Sequence, residues 1–263
     1  MAITVRGNQT DVPTLVRNLE AIFFDMNGTL RRRVPHEPTR QAAYKRILEL
    51  LGKEDAPDGF WEELTRRTQA YNQWAQENLL QLSEKEIWTR WLLPDFARDQ
   101  VEPLADELML AWKATRGRTV PQADAEAAII VLRNRGYRLG VISNSLSSLD
   151  IPHSLDDFGW KDHFEVVILS AIEKYRKPAP EIFRAAARAM NLMPAQCAHL
   201  GNRISKDIVG CKRAGFGLGI IIEPPGTLPA DQQDQTFTPD AVIYSLSELL
   251  DLFPRRASKE VKV

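Results

Sequence analysis

The sequence has few cysteines, no long apolar run and no apolar N-terminal segment, the features that mark disulfide-rich, membrane and secreted proteins. Only two cysteines, Cys197 and Cys211, occur in 263 residues, which excludes a disulfide framework and a thiolate metal cluster. No stretch approaches the roughly 20 apolar residues that a membrane-spanning helix needs. The first 20 residues contain no uninterrupted apolar run, so we expect no secretory signal. Together these absences predict a cytoplasmic protein with reduced thiols and no membrane segment.

The chain also lacks an excess of charge of either sign. It has 34 Lys and Arg residues against 35 Asp and Glu residues, a formal net charge of −1. Proteins that bind nucleic acid by neutralising phosphates usually show a basic excess, so nucleic acid is not an expected partner. The composition, with 44% hydrophobic and 26% charged residues, is typical of a globular protein. The length allows one or two domains.

What the sequence does contain is an α/β pattern. Short apolar runs at 21–25, 138–143 and 197–202 predict buried strands, and amphipathic stretches between such runs predict helices. Further strands are predicted at 164–170, 217–222 and 240–244, and further helices at 122–135, 178–191, 205–214 and 245–252. Nearly continuous apolar strands separated by helices are typical of a parallel sheet covered on both faces. We therefore predict an α/β fold with a Rossmann-like parallel sheet.

A block after the first predicted strand has a different pattern. Residues 38–116 show helical spacing with almost no strand signal, and five of the six tryptophans fall inside this block. Aromatic residues at helical spacing usually form the core of a bundle. The block thus predicts an all-helical cap domain at 33–118, inserted into a core domain formed by 1–32 and 119–263. Hinges between the two are expected near Arg33 and Arg118.

Polar residues follow the predicted strands at the edge where parallel sheets bind their ligands. They are Asp25, Asn27, Gly28, Thr29, Ser143, Asn144, Lys177, Asn202 and Asp207. An unpaired buried carboxylate is costly, so Asp25 at the end of a buried strand indicates a functional group. The amide and hydroxyl donors suit anionic oxygens, and Lys177 could neutralise both a phosphoryl group and Asp25.

Four segments resemble, in the same order, the motifs of the haloacid dehalogenase superfamily of hydrolases: DMNGTL, VISNS, KYRKPAPEIF and GNRISKDIVGCKRAG. The helical block resembles that superfamily's cap of the first type. The resemblance implies that Asp25 is a nucleophile that forms an aspartyl intermediate. It also implies that Ser143 binds the transferring group and that Lys177 orients nucleophile and substrate.

The same resemblance implies a magnesium ion and a small phosphorylated substrate. The magnesium ligands would be Asp25, the main-chain carbonyl of Asn27, Asn202 and Asp207. The substrate contacts are expected at Gly28, Thr29 and Asn144.

Two positions depart from the pattern of the superfamily's phosphatases. Those enzymes carry Asp two residues after the nucleophile, as the acid that protonates the leaving group, and this chain has Asn27. Their fourth motif begins Gly-Asp, and this chain has Asn202, which should weaken magnesium binding because magnesium prefers carboxylate oxygens. Loss of a general acid typically costs about 10²–10⁴ in rate. We therefore expect reduced activity and a preference for acyl or aryl phosphates, whose leaving groups need no proton.

Two other functions stay open at this point. A dehalogenase-like hydrolase would need neither the missing acid nor magnesium, because a halide leaves unprotonated. A catalytically silent protein could bind a phosphorylated ligand or a partner protein through the cap. For the run Arg31, Arg32 and Arg33 we expect a solvated linker, with recruitment of a second acidic group of the substrate as the alternative.

Overall fold

The computed structural model describes residues 12–223 and 237–256 of the chain. The strands are β1 (Ala21–Phe24), β2 (Arg31–Val34), β3 (Arg118–Pro121), β4 (Arg138–Ser143), β5 (Val166–Leu169), β6 (Cys197–Gly201), β7 (Leu218–Ile222) and β8 (Ala241–Ile243). Six of them form a parallel sheet in the order β5-β4-β1-β6-β7-β8. This sheet confirms the predicted α/β, Rossmann-like fold.

Helices cover the sheet and form the inserted block. They are α1 (Val12–Arg17), α2 (Glu37–Leu50), α3 (Phe60–Asn78), α4 (Glu84–Ile87), α5 (Arg98–Val101), α6 (Ala105–Ala114), α7 (Ala125–Asn134), α8 (Asp150–Asp157), α9 (Ser170–Glu173), α10 (Pro180–Ala189), α11 (Val209–Ala214) and α12 (Leu249–Leu252). Two π-helical segments extend this set, Trp88–Leu92 after α4 and Ile204–Ile208 before α11. The helix α8 was not predicted.

The central strand β1 explains why its sequence is apolar at every position. Ile22 and Phe24 pack into the apolar cluster on one face of the sheet, and Ala21 and Phe23 pack into the cluster on the other. All four side chains are fully buried. A strand that is covered on both faces cannot alternate apolar and polar residues, so the continuous run places β1 in the middle of the sheet.

The inserted block has an apolar core of its own. Trp88 and Trp112 are buried in this core, and Trp61, Trp74 and Trp91 pack against it. The tryptophans therefore form a bundle core, as the helical spacing predicts. The division of the chain into domains at 33 and 118 stays a prediction.

The two passages between sheet and block form an antiparallel ribbon that the sequence did not predict. In this ribbon β2 pairs with β3, with Arg31 opposite Pro121 and Val34 opposite Arg118. Gly117 precedes the ribbon's second strand with φ of 104°, and a Cβ there would lie 2.1 Å from the carbonyl oxygen of Val34. The turn into β3 therefore requires glycine. The predicted hinge positions lie within this ribbon.

Candidate active site

The polar residues that follow β1, β4 and β6 meet at one edge of the sheet. Because β1 pairs in parallel with both neighbours, the carboxyl ends of the three strands lie side by side. Asp25 follows β1, Ser143 ends β4, and Asp207 lies on the π-helical segment after β6. Lys177, from the loop before α10, completes the group. All four of these predicted site residues are buried.

Asp25 is held by one of its two carboxylate oxygens. Its Oδ1 accepts hydrogen bonds from Lys177 Nζ at 2.7 Å and from Ser143 Oγ at 3.1 Å. Its backbone N donates to the carbonyl of Leu200 at 2.8 Å, which ties the residue to β6. Its Oδ2 accepts no hydrogen bond from the described residues. One carboxylate oxygen is therefore fixed, and the other is available to react with a ligand.

Lys177 uses all three of its ammonium protons inside the site. Its Nζ donates to Asp25 Oδ1 at 2.7 Å, to Asp207 Oδ1 at 2.6 Å and to the carbonyl of Ile142 at 2.9 Å. Burial alone would lower the pKa of Lys177, but Asp207 and Asp25 outweigh it and raise that pKa above its usual value. The lysine is therefore a permanent cation that positions the two carboxylates.

Asp207 has both carboxylate oxygens engaged by protein donors. Besides Lys177, Oδ1 meets His199 Nε2 at 3.0 Å, and Oδ2 accepts from the backbone N of Arg203 at 3.0 Å. Burial would raise the pKa of Asp207, but Lys177 and His199 hold it below its usual value. A Cβ on Gly201 would lie 2.1 Å from Asp207 Cγ, so glycine is needed at that position. Asp207 thus binds Lys177 in this site, and its predicted role as a magnesium ligand stays a prediction.

His199 is a member of the site that sequence reasoning missed. Its ring is completely buried, and burial lowers its pKa despite the nearby carboxylate of Asp207. The neutral ring donates from Nε2 to Asp207. The available signal was a single polar residue within the otherwise apolar strand β6.

Asn144 positions the lysine loop instead of presenting its amide to a substrate. Its Nδ2 donates to the carbonyl of Lys177 at 3.0 Å, and its Oδ1 accepts from the backbone N of Lys177 at 2.8 Å. The next peptide bond, Lys177-Pro178, is cis. Both ends of the amide thus bind the backbone of Lys177, and the predicted substrate contact of Asn144 stays a prediction.

The loop after Asp25 contains Gly28 and Thr29, two predicted substrate contacts. Gly28 has φ of 88°, and a Cβ on it would lie 2.3 Å from the side-chain nitrogen of Asn202. Glycine therefore allows the first and fourth motifs to approach each other. Thr29 is completely buried, and its Oγ1 has no hydrogen-bond partner among the described residues. The substrate contacts of Gly28 and Thr29 stay predictions.

Asn27 stands two residues after Asp25, at the position where the resemblance in sequence leads us to expect an acid, and Arg31 holds it there. The Nε of Arg31 donates to Asn27 Oδ1 at 3.1 Å. Since the amide oxygen faces Arg31, the amide nitrogen of Asn27 points the other way and can act as a donor. Asn27 is exposed, whereas Arg31 is completely buried.

Arg31 is buried because a carboxylate on α8 neutralises it. Asp150 Oδ2 lies 2.5 Å from Arg31 Nη2 and 2.8 Å from Lys113 Nζ, and Asp150 Oδ1 lies 3.7 Å from Arg33 Nη2. Burial would raise the pKa of Asp150, but Lys113 and Arg31 hold it below its usual value. The expectation of a solvated linker is therefore wrong for Arg31 and Arg33. Arg32 is exposed, as expected.

The helical block contacts the chain segment that leads to the site lysine. The backbone N of Arg176 donates to the carbonyl of Leu79 at 2.9 Å, and the backbone N of Gln81 donates to the carbonyl of Lys174 at 2.7 Å. Leu80 and Tyr175 form an antiparallel bridge between these bonds. The loop after α3 therefore lies against the loop that carries Lys177, next to the site.

The oxygen atoms left for a magnesium ion make a weak donor set. Besides Asp207, whose oxygens already accept hydrogen bonds from protein donors, the predicted donors are one oxygen of Asp25, the carbonyl of Asn27 and the amide oxygen of Asn202, which together carry a single negative charge. Among the described residues no group of three or more His, Cys, Asp and Glu side chains could hold a metal. Magnesium prefers carboxylate oxygens, so the residues present fit this ion poorly.

Comparison with known proteins identifies the family. Residues 19–215, a span that includes all four motifs, match the family described as haloacid dehalogenase-like hydrolase. The chain belongs to this family. The hydrolase is similar to the glyceraldehyde 3-phosphate phosphatase of Pyrococcus furiosus, with 26% identity over 94% of this chain and 98% of the relative. It is also similar to the phosphoserine phosphatase of Thermus thermophilus, with 25% identity over 75% of this chain and 86% of the relative.

A solved structure shares the fold of this hydrolase. The 2-haloacid dehalogenase from Pseudomonas syringae pv. Tomato DC3000 matches with a TM-score of 0.64 and 22% identity, over 89% of this chain and 97% of that one. This likeness supports the architecture of sheet and helical block. Because these relatives are named as phosphatases, the chain is a phosphatase-like hydrolase.

In the described part of the chain, none of the helices has the length and apolarity to cross a membrane.

Proposed function

We propose that this hydrolase cleaves a small phosphorylated metabolite through an aspartyl-phosphate intermediate on Asp25. The observation that carries the proposal is the asymmetry of the Asp25 carboxylate. Lys177 and Ser143 fix Oδ1, and Oδ2 is left available at the carboxyl edge of the sheet. A carboxylate with one oxygen oriented and the other available is suited to nucleophilic catalysis.

In the first step Asp25 Oδ2 attacks the phosphorus atom. The new bond joins this oxygen to phosphorus, and the bond from phosphorus to the leaving-group oxygen breaks with its electron pair. Lys177 holds the Asp25 carboxylate in position through the hydrogen bond from its Nζ, and the Ser143 hydroxyl is close enough to donate to a phosphoryl oxygen once the group arrives. In the second step water attacks the same phosphorus atom, which releases inorganic phosphate and restores the carboxylate.

Asn27 determines which leaving groups depart easily. An amide cannot give up a proton to a departing alkoxide at neutral pH, although its nitrogen can donate a hydrogen bond. The missing acid costs about 10²–10⁴ in rate for leaving groups that need protonation. The proposed substrates are therefore acyl or aryl phosphates, whose leaving groups are stable anions. The absence of a base at Asn27 should also slow the second step.

The relatives support a small phosphorylated substrate without identifying it. Both are named for phosphorylated metabolites, and this chain differs from the phosphatase pattern at Asn27 and Asn202. No step of the proposed reaction depends on a metal ion, because the available oxygen donors fit magnesium poorly. We retain a cytoplasmic location as a proposal, supported by the free thiols of Cys197 and Cys211.

A comparison of leaving groups tests this function. Steady-state turnover of p-nitrophenyl phosphate, an aryl ester, is measured beside that of glycerol phosphate, an alkyl ester. We expect the aryl ester to turn over at least about 10² faster, since only the alkyl leaving group needs the missing acid. Asp25→Asn, which keeps the shape of the side chain and removes the nucleophile, should abolish both reactions.

Three results would contradict the proposal. Equal turnover of the two esters would show that a proton donor is present after all. Turnover that survives in Asp25→Asn would place the nucleophile elsewhere. Halide release from a 2-haloacid, with no hydrolysis of either ester, would favour the dehalogenase-like alternative.

A further inference from the structure

Three basic residues lie close in sequence to the site lysine and its carboxylate partner. Arg176 directly precedes Lys177, Arg203 directly precedes the π-helical segment Ile204–Ile208 that carries Asp207, and Lys206 lies on that segment. The backbone N of Arg203 binds Asp207 Oδ2 at 3.0 Å, and Lys177 Nζ binds Asp207 Oδ1 at 2.6 Å. We call Arg176, Arg203 and Lys206 the rim cations.

The rim cations lack the ion pairs that neutralise basic residues elsewhere in the site. Within residues 12–223 and 237–256, no carboxylate lies within ion-pair distance of any of the three. Arg176 donates from Nη1 to the side-chain oxygen of Gln81 in the helical block, a neutral partner. By contrast, Arg31 and Lys113 both bind Asp150. Among the described residues, the rim cations are therefore a cluster of like charges without a carboxylate at ion-pair distance.

Burial and mutual repulsion act on this cluster together. Burial lowers the pKa of Lys206, and the nearby guanidinium groups of Arg203 and Arg176 lower it further. Burial also lowers the pKa of Arg176. Cations that are partly withdrawn from water and close to one another are stabilised when an anion binds between them.

The charge of the site matches one phosphoryl group. Lys177 and the rim cations contribute four positive charges, and Asp25 and Asp207 contribute two negative ones, which leaves an excess of two positive charges. A phosphoryl group carries about −1.5 to −2 at neutral pH. The loop GNRISKD, residues 201–207, places basic residues beside Asn202, where a metal-ligating carboxylate is missing. The fourth-motif loop thus supplies positive charge next in sequence to the position at which the family's pattern would have a metal-ligating carboxylate.

We propose that the rim cations hold the phosphoryl group in place of a divalent cation, so that this chain binds phosphate without magnesium. Arg203 and Lys206 provide the charge from the fourth-motif loop. Arg176 provides it from the side of the helical block, where Gln81 orients its guanidinium. The inference rests on the proposed function only for the identity of the anion. It concerns binding of the phosphoryl group and not its transfer.

Calorimetric titration of the full chain with inorganic phosphate tests this inference. One titration contains a chelator and no divalent cation, and the other contains magnesium. We expect the same dissociation constant in both. Arg203→Met and Lys206→Met each remove one positive charge and keep most of the aliphatic part of the side chain. Each variant should weaken phosphate binding about tenfold, as expected for the loss of a charged hydrogen bond.

Arg213→Met is the matched control for the loss of one positive charge. Arg213 is exposed in the last turn of α11, and that end of the helix faces away from the carboxyl edge of the sheet. Phosphate binding by this variant should equal that of the parent.

The inference is overturned if phosphate binds only with magnesium, or if it binds in neither buffer. It is also overturned if Arg203→Met and Lys206→Met bind phosphate as tightly as Arg213→Met does. The first comparison uses the unmodified protein, so it does not depend on how the variants fold. Failure of the proposed function would be distinct, because it would leave phosphate binding intact and remove turnover.

Discussion

The substitution Asn27→Asp would return the missing carboxylate to the acid position, yet we predict that it restores no acid catalysis. The reason is Arg31, whose Nε lies 3.1 Å from the Asn27 side-chain oxygen. A carboxylate introduced at this position would be an ion-pair partner of a buried guanidinium. An acid must hold its proton until the leaving group departs, and Arg31 favours the ionised form.

The size of this effect follows from the geometry. An opposite charge within about 4–6 Å lowers the pKa of an aspartate by about 1–3 units, and the usual value is about 3.9. Because Asp150 partly neutralises Arg31, we take the low end, a reduction of about one unit. The new carboxyl group would then be protonated in only about one molecule in 10⁴ at pH 7.

Two variants separate the missing carboxylate from the effect of Arg31. Asn27→Asp alone should turn over glycerol phosphate within about threefold of the parent, since the acid stays ionised. Adding Arg31→Met removes the positive charge and leaves Asp150 paired with Lys113. The double variant should gain about tenfold in turnover of this alkyl ester, because a pKa restored by about one unit raises the protonated fraction at pH 7 about tenfold. Arg31→Met alone, which has no carboxylate at position 27, is the control and should gain nothing.

Carbon-13 NMR of the introduced carboxyl group gives the second readout. In Asn27→Asp its titration midpoint should lie below the usual aspartate pKa, and in the double variant it should rise. The reasoning is refuted if Asn27→Asp alone raises turnover of the alkyl ester by about 10². It is equally refuted if the midpoint is the same with and without Arg31.

The remaining predictions concern stability and the close contact between the first and fourth motifs. Asp150→Asn should lower the free energy of unfolding by about 3 kcal/mol in urea denaturation, because buried cations lose their carboxylate, whereas Asp156→Asn, at an exposed ion pair, should cost less than about 1 kcal/mol. Gly28→Ala should lower turnover about 10²-fold by displacing the nucleophile loop, and Gly59→Ala, whose Cβ would meet nothing within 4 Å, should leave turnover unchanged. The pKa of Asp207 in the folded protein lies below its usual value. The ionised Asp207 therefore stabilises the fold above about pH 4, and this stabilisation is lost as the pH falls further. The urea midpoint of the parent should fall more between pH 7 and pH 3 than the urea midpoint of Asp207→Asn.

Sequence reasoning predicts the sheet well because burial on two faces leaves a direct mark on each strand. The runs at 21–25 and 138–143 contain β1 and β4, with bounds that differ by no more than one residue. Ribbon strands β2 and β3 were missed, because RRRV and RTVP carry no apolar alternation. The two strands lie far apart in the chain, and the partner that neutralises Arg31 on β2 is Asp150, 119 residues away.

The candidate site shows the same limit. The order of the motifs predicts that Asp25, Ser143 and Lys177 come together, because parallel strands bring their ends to one edge. The sequence does not reveal which atoms are already engaged. Asp207 and Asn144 have donor and acceptor groups suited to ligands, and the structure shows that Lys177 and its loop occupy those groups. Arg31 and His199 were missed because their roles depend on burial.

Phosphorylation of Asp25 is the central claim, and intact-protein mass spectrometry tests it most directly. The parent chain is incubated with acetyl phosphate, an acyl phosphate whose leaving group needs no proton. Because Asn27 cannot act as a base in the second step, we predict that the parent accumulates the mass of one phosphoryl group and that Asp25→Asn does not. A parent chain that gains no phosphoryl group, or an Asp25→Asn chain that gains one, would show that Asp25 is not the nucleophile.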